Sequence, residues 1–344
     1  MTSAVTASKR ISSIDMLKGL GILLLILSHS IPGDSNLKTW IFSFHMPLFF
    51  VCTGYLTFRR YPSPNKLKGK IWTILKHKAK SILIPYFIFS IIYLLFLAGL
   101  EFIASKEIPF DFLTDGLFSI FSLSGYASMW FLPCLFLSEC LFLLLYRFSG
   151  YAGLFVGCLC SFYLNYRFNG AEITGLIGML LKSTTGFIFM ITGCLLFALS
   201  SHVRWMKTGS KNHITILVII LSLLCGAVLS LANGFVSIGT FTYGNMAVYY
   251  FSASLTIFGF FLLFQKTKEI PLISYFGKNS IVILCTNNLV IECVRLVDYK
   301  LTGDFFVTHG MLGDFLFALL VTLLEFFIIQ FVLRFCPKLF GINR

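Results

Sequence analysis

Residues 12–56 read SSIDMLKGLGILLLILSHSIPGDSNLKTWIFSFHMPLFFVCTGYL, and they consist of two apolar segments with a short polar turn between them. The pattern predicts one helix over about 13–31 and a second over about 39–58. Each is close to the length of about 20 apolar residues with which a helix crosses the hydrocarbon of a membrane. We therefore expect this stretch to form a pair of adjacent transmembrane helices.

The first predicted helix carries three ionisable residues on one face. Because a helix turns about 100° per residue, Lys18 and His29 share nearly the same azimuth and stand about 16 Å apart along the axis. Asp15 lies within about one turn of Lys18. His45 is expected on the second helix at a depth similar to that of His29, so two imidazoles can share one cavity. Ionisable groups at membrane depth face the protein interior or a wet cavity, which makes these four residues candidates for catalysis.

The whole chain has the composition of a membrane protein. Of its 344 residues, 57% are hydrophobic and 12% charged, which is about half the charge usual in soluble domains. Apolar runs long enough to cross a bilayer recur throughout, so the sequence predicts an all-α, polytopic integral membrane protein of about ten transmembrane helices. It forms a single domain over 1–344. The ten cysteines lie mostly in apolar runs, and their spacing indicates neither a disulfide framework nor a metal site.

The net charge of +13 raises the question of a nucleic-acid partner. The basic residues, however, sit in short loops between apolar runs, and most of these loops fall on the same side as Lys9 and Arg10. The positive-inside rule explains this asymmetry, so no nucleic-acid partner is expected. It also predicts that both termini are cytoplasmic, with the chain in an inner or plasma membrane.

One loop carries more basic residues than the orientation of the chain requires. Residues 59–80 carry eight lysines and arginines, including Lys76, Lys78 and Lys80. The loop can anchor anionic lipid headgroups, or it can bind a polyanionic cytoplasmic cofactor, and charge alone favours neither. A second anion site is predicted where helix nine begins, near 277–280, because a helix N-terminus offers free amides beside Lys278.

Two further polar residues are expected inside the membrane. Glu139 falls near the middle of helix four (about 130–146), where a carboxyl group is either protonated or paired across the bundle, and a structural partner role is slightly favoured. Asn287 and Asn288 fall at mid-depth in helix nine, where amides more often join helices than take part in chemistry.

These positions suit a reaction that draws its two substrates from opposite sides of the membrane. A histidine in an outward cavity can act as general base on a hydroxyl group while the donor enters from the cytoplasm. The donor should have a negatively charged head and a long, thin reactive arm. Acetyl-CoA has this shape, with its phosphates on the basic loop and its thioester near the middle of the membrane.

Several motifs extend this reading to a known family. They are a basic residue and a histidine separated by ten residues (Lys18 and His29), FHMPLFF at 44–50 with GYL at 54–56, KAKSILIPY at 78–86, WFLP at 130–133 and GKNS at 277–280. With these motifs the chain resembles the membrane-bound acyltransferase-3 family, in particular the stand-alone sugar O-acetyltransferases typified by fucose 4-O-acetylase-like proteins. Lys78 and Ser81 stand where the family's RxxR-type motif has arginines, and lysine is a point charge rather than a bidentate fork.

The resemblance implies transfer of an acyl group from cytoplasmic acyl-CoA to a hydroxyl of a cell-surface glycan or its lipid-linked precursor. His29 would be the base or a transient acyl carrier, Lys18 and Asp15 would organise the donor arm, and His45 would orient or assist. The set of candidates for substrate binding comprises Glu139, Trp130, Asn287 and Tyr55. The acceptor sugar, the acyl group and the oligomeric state stay open.

The alternative function is an exporter of glycans or lipid-linked sugars. In that case His29, His45 and Glu139 would bind substrate or couple transport to protons. The sequence has no internal repeat, which weakens this reading because many transporter folds are built from repeats.

Overall fold

The computed structural model describes residues 11–203, 213–303 and 310–340, and these ranges fold into helices with short connections. The predicted all-α class is therefore confirmed, with one isolated bridge between Ser237 and Thr242 as the β-type pairing in the described ranges. The helices are α1 (Ser12–Ser30), α2 (Asn36–Arg60), α3 (Ile71–Ser105), α4 (Phe110–Phe121), α5 (Phe131–Arg167), α6 (Gly175–His202), α7 (His213–Asn233), α8 (Met246–Lys266), α9 (Pro271–Lys278), α10 (Ser280–Thr302) and α11 (Gly310–Phe335).

Nine of the described helices are long and apolar enough to cross a membrane, and one of them, α5, consists of two limbs. Gly150 has φ 61° and ψ −143°, which only glycine adopts readily and which breaks the helix. Gly157 and Leu145 are twelve residues apart, which in a straight helix is about 18 Å. A Cβ on Gly157 would nevertheless contact the Leu145 side chain. The limbs are thus folded back on each other, and the described helices supply ten apolar segments, in agreement with the predicted number.

The bundle has two ends that differ in their polar residues. We call the end that holds the turn between α1 and α2 (residues 31–35) the histidine end, because His29 and His45 lie near it. The opposite end, which holds residues 61–70 and α9, is called the basic end. The predicted basic residues Lys9, Arg10, Arg204, Lys207, Lys211 and Arg344 lie outside the described residues.

A long acidic and aromatic connection follows α3 at the histidine end. It contains the short helix α4 and a 3₁₀ turn, Ala127–Trp130, that leads into α5. Ala127 has φ 49°, an uncommon value for a residue other than glycine. This turn brings the Trp130 indole over the end of the bundle.

Two elements at the basic end differ from the predictions. Residues 59–80 were expected to form a loop, but α3 begins at Ile71, so the second half of this stretch is helical. Helix nine was expected to start near 277–280, and α10 does begin at Ser280. The short helix α9, which begins with Pro271 and ends at Lys278, was not predicted.

Helix α9 lies directly against the beginning of α1. A Cβ on Gly277 would overlap the carbonyl oxygen of Asp15, and one on Gly19 would overlap the carbonyl oxygen of Ile273. Glycine at both positions allows the two backbones to touch, as small residues do where membrane helices approach closely. The first turns of α1 are consequently covered by α9.

Candidate functional site

A cavity of about 90 Å³ lies near the histidine end, between α1, α2, α10 and the two connections that cover them. It has room for a few water molecules or for one small acyl group. Its wall brings together four residues that the sequence singled out, His29, His45, Trp130 and Asn287. The full lining is Leu25, His29, Phe42, His45, Met46, Ser128, Trp130, Ser237, Ile238, Leu284 and Asn287.

His45 is held in one orientation by its own helix. Its Nδ1 lies 2.8 Å from the carbonyl oxygen of Ile41, one turn earlier in α2, and the edge of the ring contacts Phe42. Since a carbonyl oxygen only accepts, Nδ1 carries the proton, and the neutral ring keeps a lone pair on Nε2. His45 is 2% exposed. It therefore offers the cavity a fixed hydrogen-bond acceptor.

His29 occupies the last turn of α1 and is held through its backbone. Arg295 of α10 donates from Nη2 to the His29 carbonyl oxygen at 3.2 Å, while Phe42 lies 6.5 Å from the imidazole, centroid to centroid. Within the described ranges the imidazole itself makes no hydrogen bond. Its nitrogens can exchange protons with a bound substrate without first breaking a contact.

Trp130 contributes an aromatic wall that a cation holds in place. The Nζ atom of Lys182, on α6, lies 5.8 Å from the centre of the Trp130 ring and 5.4 Å from that of Phe241. A cation over an aromatic face is attractive, more strongly so where water is scarce. Trp130 thus forms part of the cavity wall, and its role in substrate binding stays a prediction.

The connection between α7 and α8 supplies Ser237 to the cavity. This connection is fixed by the backbone pairing of Ser237 with Thr242 and by a hydrogen bond of 2.8 Å between the hydroxyls of Tyr243 and Thr185. Sequence reasoning missed Ser237 and Ser128, because both lie in connections without the apolar periodicity that marks a buried position.

Asn287 projects from α10 into the same cavity. It is 2% exposed, and neither its Oδ1 nor its Nδ2 atom has a hydrogen-bond partner in the part of the chain that the structure describes. The expected helix-joining contact is therefore not made there. Asn288, its neighbour, is half-buried and does not line the cavity.

Asp15 and Lys18 lie away from this cavity, near the basic end of α1. Lys18 stands about 16 Å from His29 along the helix axis. Both side chains lie close enough to Cys52 of α2 to interact with it electrostatically, and α9 covers the Asp15 carbonyl. The two residues can thus act on a donor arm below the cavity, but not on a group within it.

Glu139 and Lys78 form an ion pair that the sequence did not foresee. The Lys78 Nζ lies 2.8 Å from Oε1 of Glu139, whose side chain is 2% exposed, and Thr57 donates to the same oxygen at 3.4 Å. Glu139 is therefore paired across the bundle, one of the two states expected for it, and it does not line the cavity. Its role in substrate binding stays a prediction. Lys78 is half-buried by this pair, because α3 begins early enough to turn it toward α5. Its role in cofactor binding stays a prediction.

The remaining candidates lie outside the cavity as well. Tyr55 stands about 15 Å from His45 along α2, and its hydroxyl pairs with that of Ser200 at 3.4 Å, so it does not bind a substrate held beside the histidines. Lys278 forms a salt bridge of 3.2 Å with Glu269 at the surface of the basic end. Lys76 and Lys80 stay exposed there. Among the described residues, no cluster of three or more His, Cys, Asp or Glu side chains could hold a metal ion.

A family model described as an acyltransferase domain, that of acyltransferase-3, matches residues 11–332. The chain belongs to the membrane acyltransferase-3 family. The match extends from α1 into the last turns of α11, so it includes every residue that lines the cavity of this acyltransferase. Comparisons with curated proteins and with solved structures give no match.

Membership in the family confirms the resemblance that the motifs indicated and does not favour the exporter alternative. It makes the protein a multi-pass membrane acyltransferase. The likeness to fucose 4-O-acetylases stays a prediction, as do the donor and the acceptor.

Proposed function

We propose that the protein transfers an acetyl or related acyl group from cytoplasmic acyl-CoA to a hydroxyl of a cell-surface glycan or lipid-linked sugar. One observation carries the proposal: in a chain of an acyltransferase family, His29 and His45 line one cavity, and the second imidazole has a fixed tautomer. An alcohol is a poor nucleophile near neutral pH, so O-acylation needs a base at the reacting hydroxyl.

The two histidines divide the work in this proposal. His29 removes the proton from the acceptor hydroxyl as the new oxygen–carbon bond forms, since its nitrogens are open to the cavity. His45 accepts a hydrogen bond at Nε2 and so orients the acceptor. When the carbon–sulfur bond breaks, the imidazolium of His29 returns the proton to the departing thiolate, and no group is left over. Transient acylation of His29 is the variant of this scheme that adds one covalent step.

The donor is assigned to the basic end. In this assignment Lys76 and Lys80 attract the phosphates of acyl-CoA, and Lys18 with Asp15 flanks the arm on its way to the cavity. A phosphate site made of lysines uses charge rather than a bidentate fit. The basic end then faces the cytoplasm, in accord with the positive-inside rule, and the protein resides in an inner or plasma membrane.

The acceptor is assigned to the histidine end with its reacting hydroxyl in the cavity, and the cavity lining supports a carbohydrate hydroxyl. Phe42 and Trp130 offer aromatic surface, while Ser128, Ser237 and Asn287 offer hydrogen bonds. A lining of this kind, mostly apolar with a few convergent polar groups, is usual for small-ligand sites.

The test uses purified protein in nanodiscs with radiolabelled acetyl-CoA and a panel of glycans and lipid-linked sugars. Binding of acetyl-CoA and transfer of label to at least one acceptor are expected. The His29→Gln variant should bind acetyl-CoA and transfer the label slower by a factor of roughly 10² to 10⁴. Failure of the wild type to bind acetyl-CoA would reject this donor, and binding without transfer to any member of the panel would reject the proposed class of acceptor.

A further inference from the structure

The amide group of Asn287 has no hydrogen-bond partner among the described residues, and it is buried, where a missing hydrogen bond costs free energy. Its side chain is 2% exposed, and both polar atoms lack partners among the described residues. Most buried polar side-chain atoms in proteins are hydrogen-bonded, because an unpaired group loses water and gains nothing. The amide faces the cavity that holds His29 and His45, so the group that would pair with it belongs in that cavity.

Helix α10 is fixed on both sides of this amide. One residue before it, the hydroxyl of Thr286 lies 3.0 and 2.8 Å from the two carboxyl oxygens of Glu325, on α11. Two turns after it, Arg295 donates to the carbonyl of His29. The helix is therefore attached to both α1 and α11, and Asn287 cannot easily turn toward another partner. A donor held in this way stabilises charge at no cost of reorganisation.

We infer that the Nδ2 of Asn287 donates a hydrogen bond to the oxyanion that forms during acyl transfer, which makes it a catalytic residue of this site. The inference rests on the proposed function. As the acceptor oxygen attacks the acyl carbon, the carbonyl electron pair moves onto oxygen, and this oxygen accepts the hydrogen bond. When the carbonyl re-forms, the carbon–sulfur bond breaks, and the thiolate takes the proton held by histidine.

An asparagine is suited to this role because its amide donates without titrating. His29, by contrast, must change protonation state during the reaction, and His45 presents an acceptor at Nε2, so neither can donate steadily to the oxyanion. A competing role, in which the whole amide only recognises the acceptor, makes a different kinetic prediction.

The test compares Asn287→Ala and Asn287→Asp with Asn288→Ala, the matched control. An ionised Asp has the shape of Asn but carries no hydrogen-bond donor in place of the Nδ2 amide. Both Asn287 variants should lower kcat for transfer from acetyl-CoA by roughly 10² to 10³, the usual effect of removing one oxyanion donor. The KM values for both substrates should change by less than about threefold, because the contact forms in the transition state. Asn288→Ala should match the wild type.

Thermal stability and acetyl-CoA affinity complete the test. Asn287→Ala removes an unpaired buried amide, so its melting temperature should equal or exceed that of the wild type. A rise in acceptor KM with an intact kcat would assign the amide to recognition and overturn the inference. A fall in melting temperature with unchanged kcat in the folded fraction would make it structural. Wild-type protein without acetyl transfer would instead overturn the proposed function, and the oxyanion role with it.

Discussion

Replacing Lys78 with Met should destabilise the fold through the carboxylate that it leaves behind. Glu139 is 2% exposed, and its Oε1 pairs with Lys78 at 2.8 Å, while its Oε2 has no hydrogen-bond partner among the described residues. Removing one member of a buried ion pair costs about 3–5 kcal/mol. Because Lys78 is itself 35% exposed, the lower figure applies, and we expect a loss of about 3 kcal/mol for Lys78→Met.

The double-mutant cycle gives the size of the interaction. Glu139→Gln should cost only about 1 kcal/mol, since the Lys78 ammonium can turn toward water while the neutral amide stays buried. The double variant should also lose about 1 kcal/mol, although the two single losses sum to about 4 kcal/mol. The difference of about 3 kcal/mol is the coupling energy of the ion pair. Lys80→Met, which removes an exposed lysine two residues away, is the control and should change stability by less than about 0.5 kcal/mol.

The assay is unfolding by SDS in mixed micelles, followed by tryptophan fluorescence, with acetyl-CoA binding measured on the folded variants. Lys78→Met should keep the wild-type affinity for acetyl-CoA. Single effects that simply add would refute the view that the Lys78–Glu139 contact stabilises the bundle. A large loss of acetyl-CoA affinity in folded Lys78→Met would return this lysine to the donor site.

Three other predictions concern the site and its orientation. His29→Gln should lower acyl transfer by roughly 10² to 10⁴ in membranes and leave expression, melting temperature and acetyl-CoA binding intact; near-normal turnover would pass the role of base to His45. The double charge reversal Lys76→Glu/Lys80→Glu should weaken acetyl-CoA binding and flatten its salt dependence, and unchanged affinity would reassign these lysines to lipid anchoring. In a background without reactive cysteines, a membrane-impermeant thiol reagent added outside intact cells should label Asp34→Cys but not Asn65→Cys. The reverse labelling pattern would place the basic end outside and exclude a cytoplasmic donor there.

Much of the architecture follows from apolar run length and from proline and glycine positions. About ten segments were expected, and the described helices supply ten when the two limbs of α5 are counted separately, because twenty apolar residues in water-free surroundings have few alternatives to a helix. The convergence of His29 and His45 could also be predicted, since a short turn of known length sets the depths of two adjacent antiparallel helices.

The failures of prediction concern contacts between elements that are distant in sequence. Lys78 was taken for a loop residue because its neighbours are basic, and the early start of α3, which turns it toward Glu139, leaves no mark in the apolar pattern. Tyr55 lies in the GYL motif that follows the motif of His45 in the sequence, but about three turns of helix separate the two residues. The unpaired amide of Asn287 could not be foreseen either, because a residue's partners depend on packing and not on its own identity.

The reversal at Gly150 determines the direction of everything after it. Without it, α5 would be a single rod of about 55 Å, far longer than the hydrocarbon is thick, and the following helices would each run the opposite way. The number of apolar segments in the described helices would change from even to odd. The connection between α7 and α8 would then leave the histidine end, taking Ser237 with it, and α10 would run in the opposite direction past His29. A glycine that precedes Ser237 by 87 residues and Asn287 by 137 thus decides whether they can meet the histidines of the first helical pair at all.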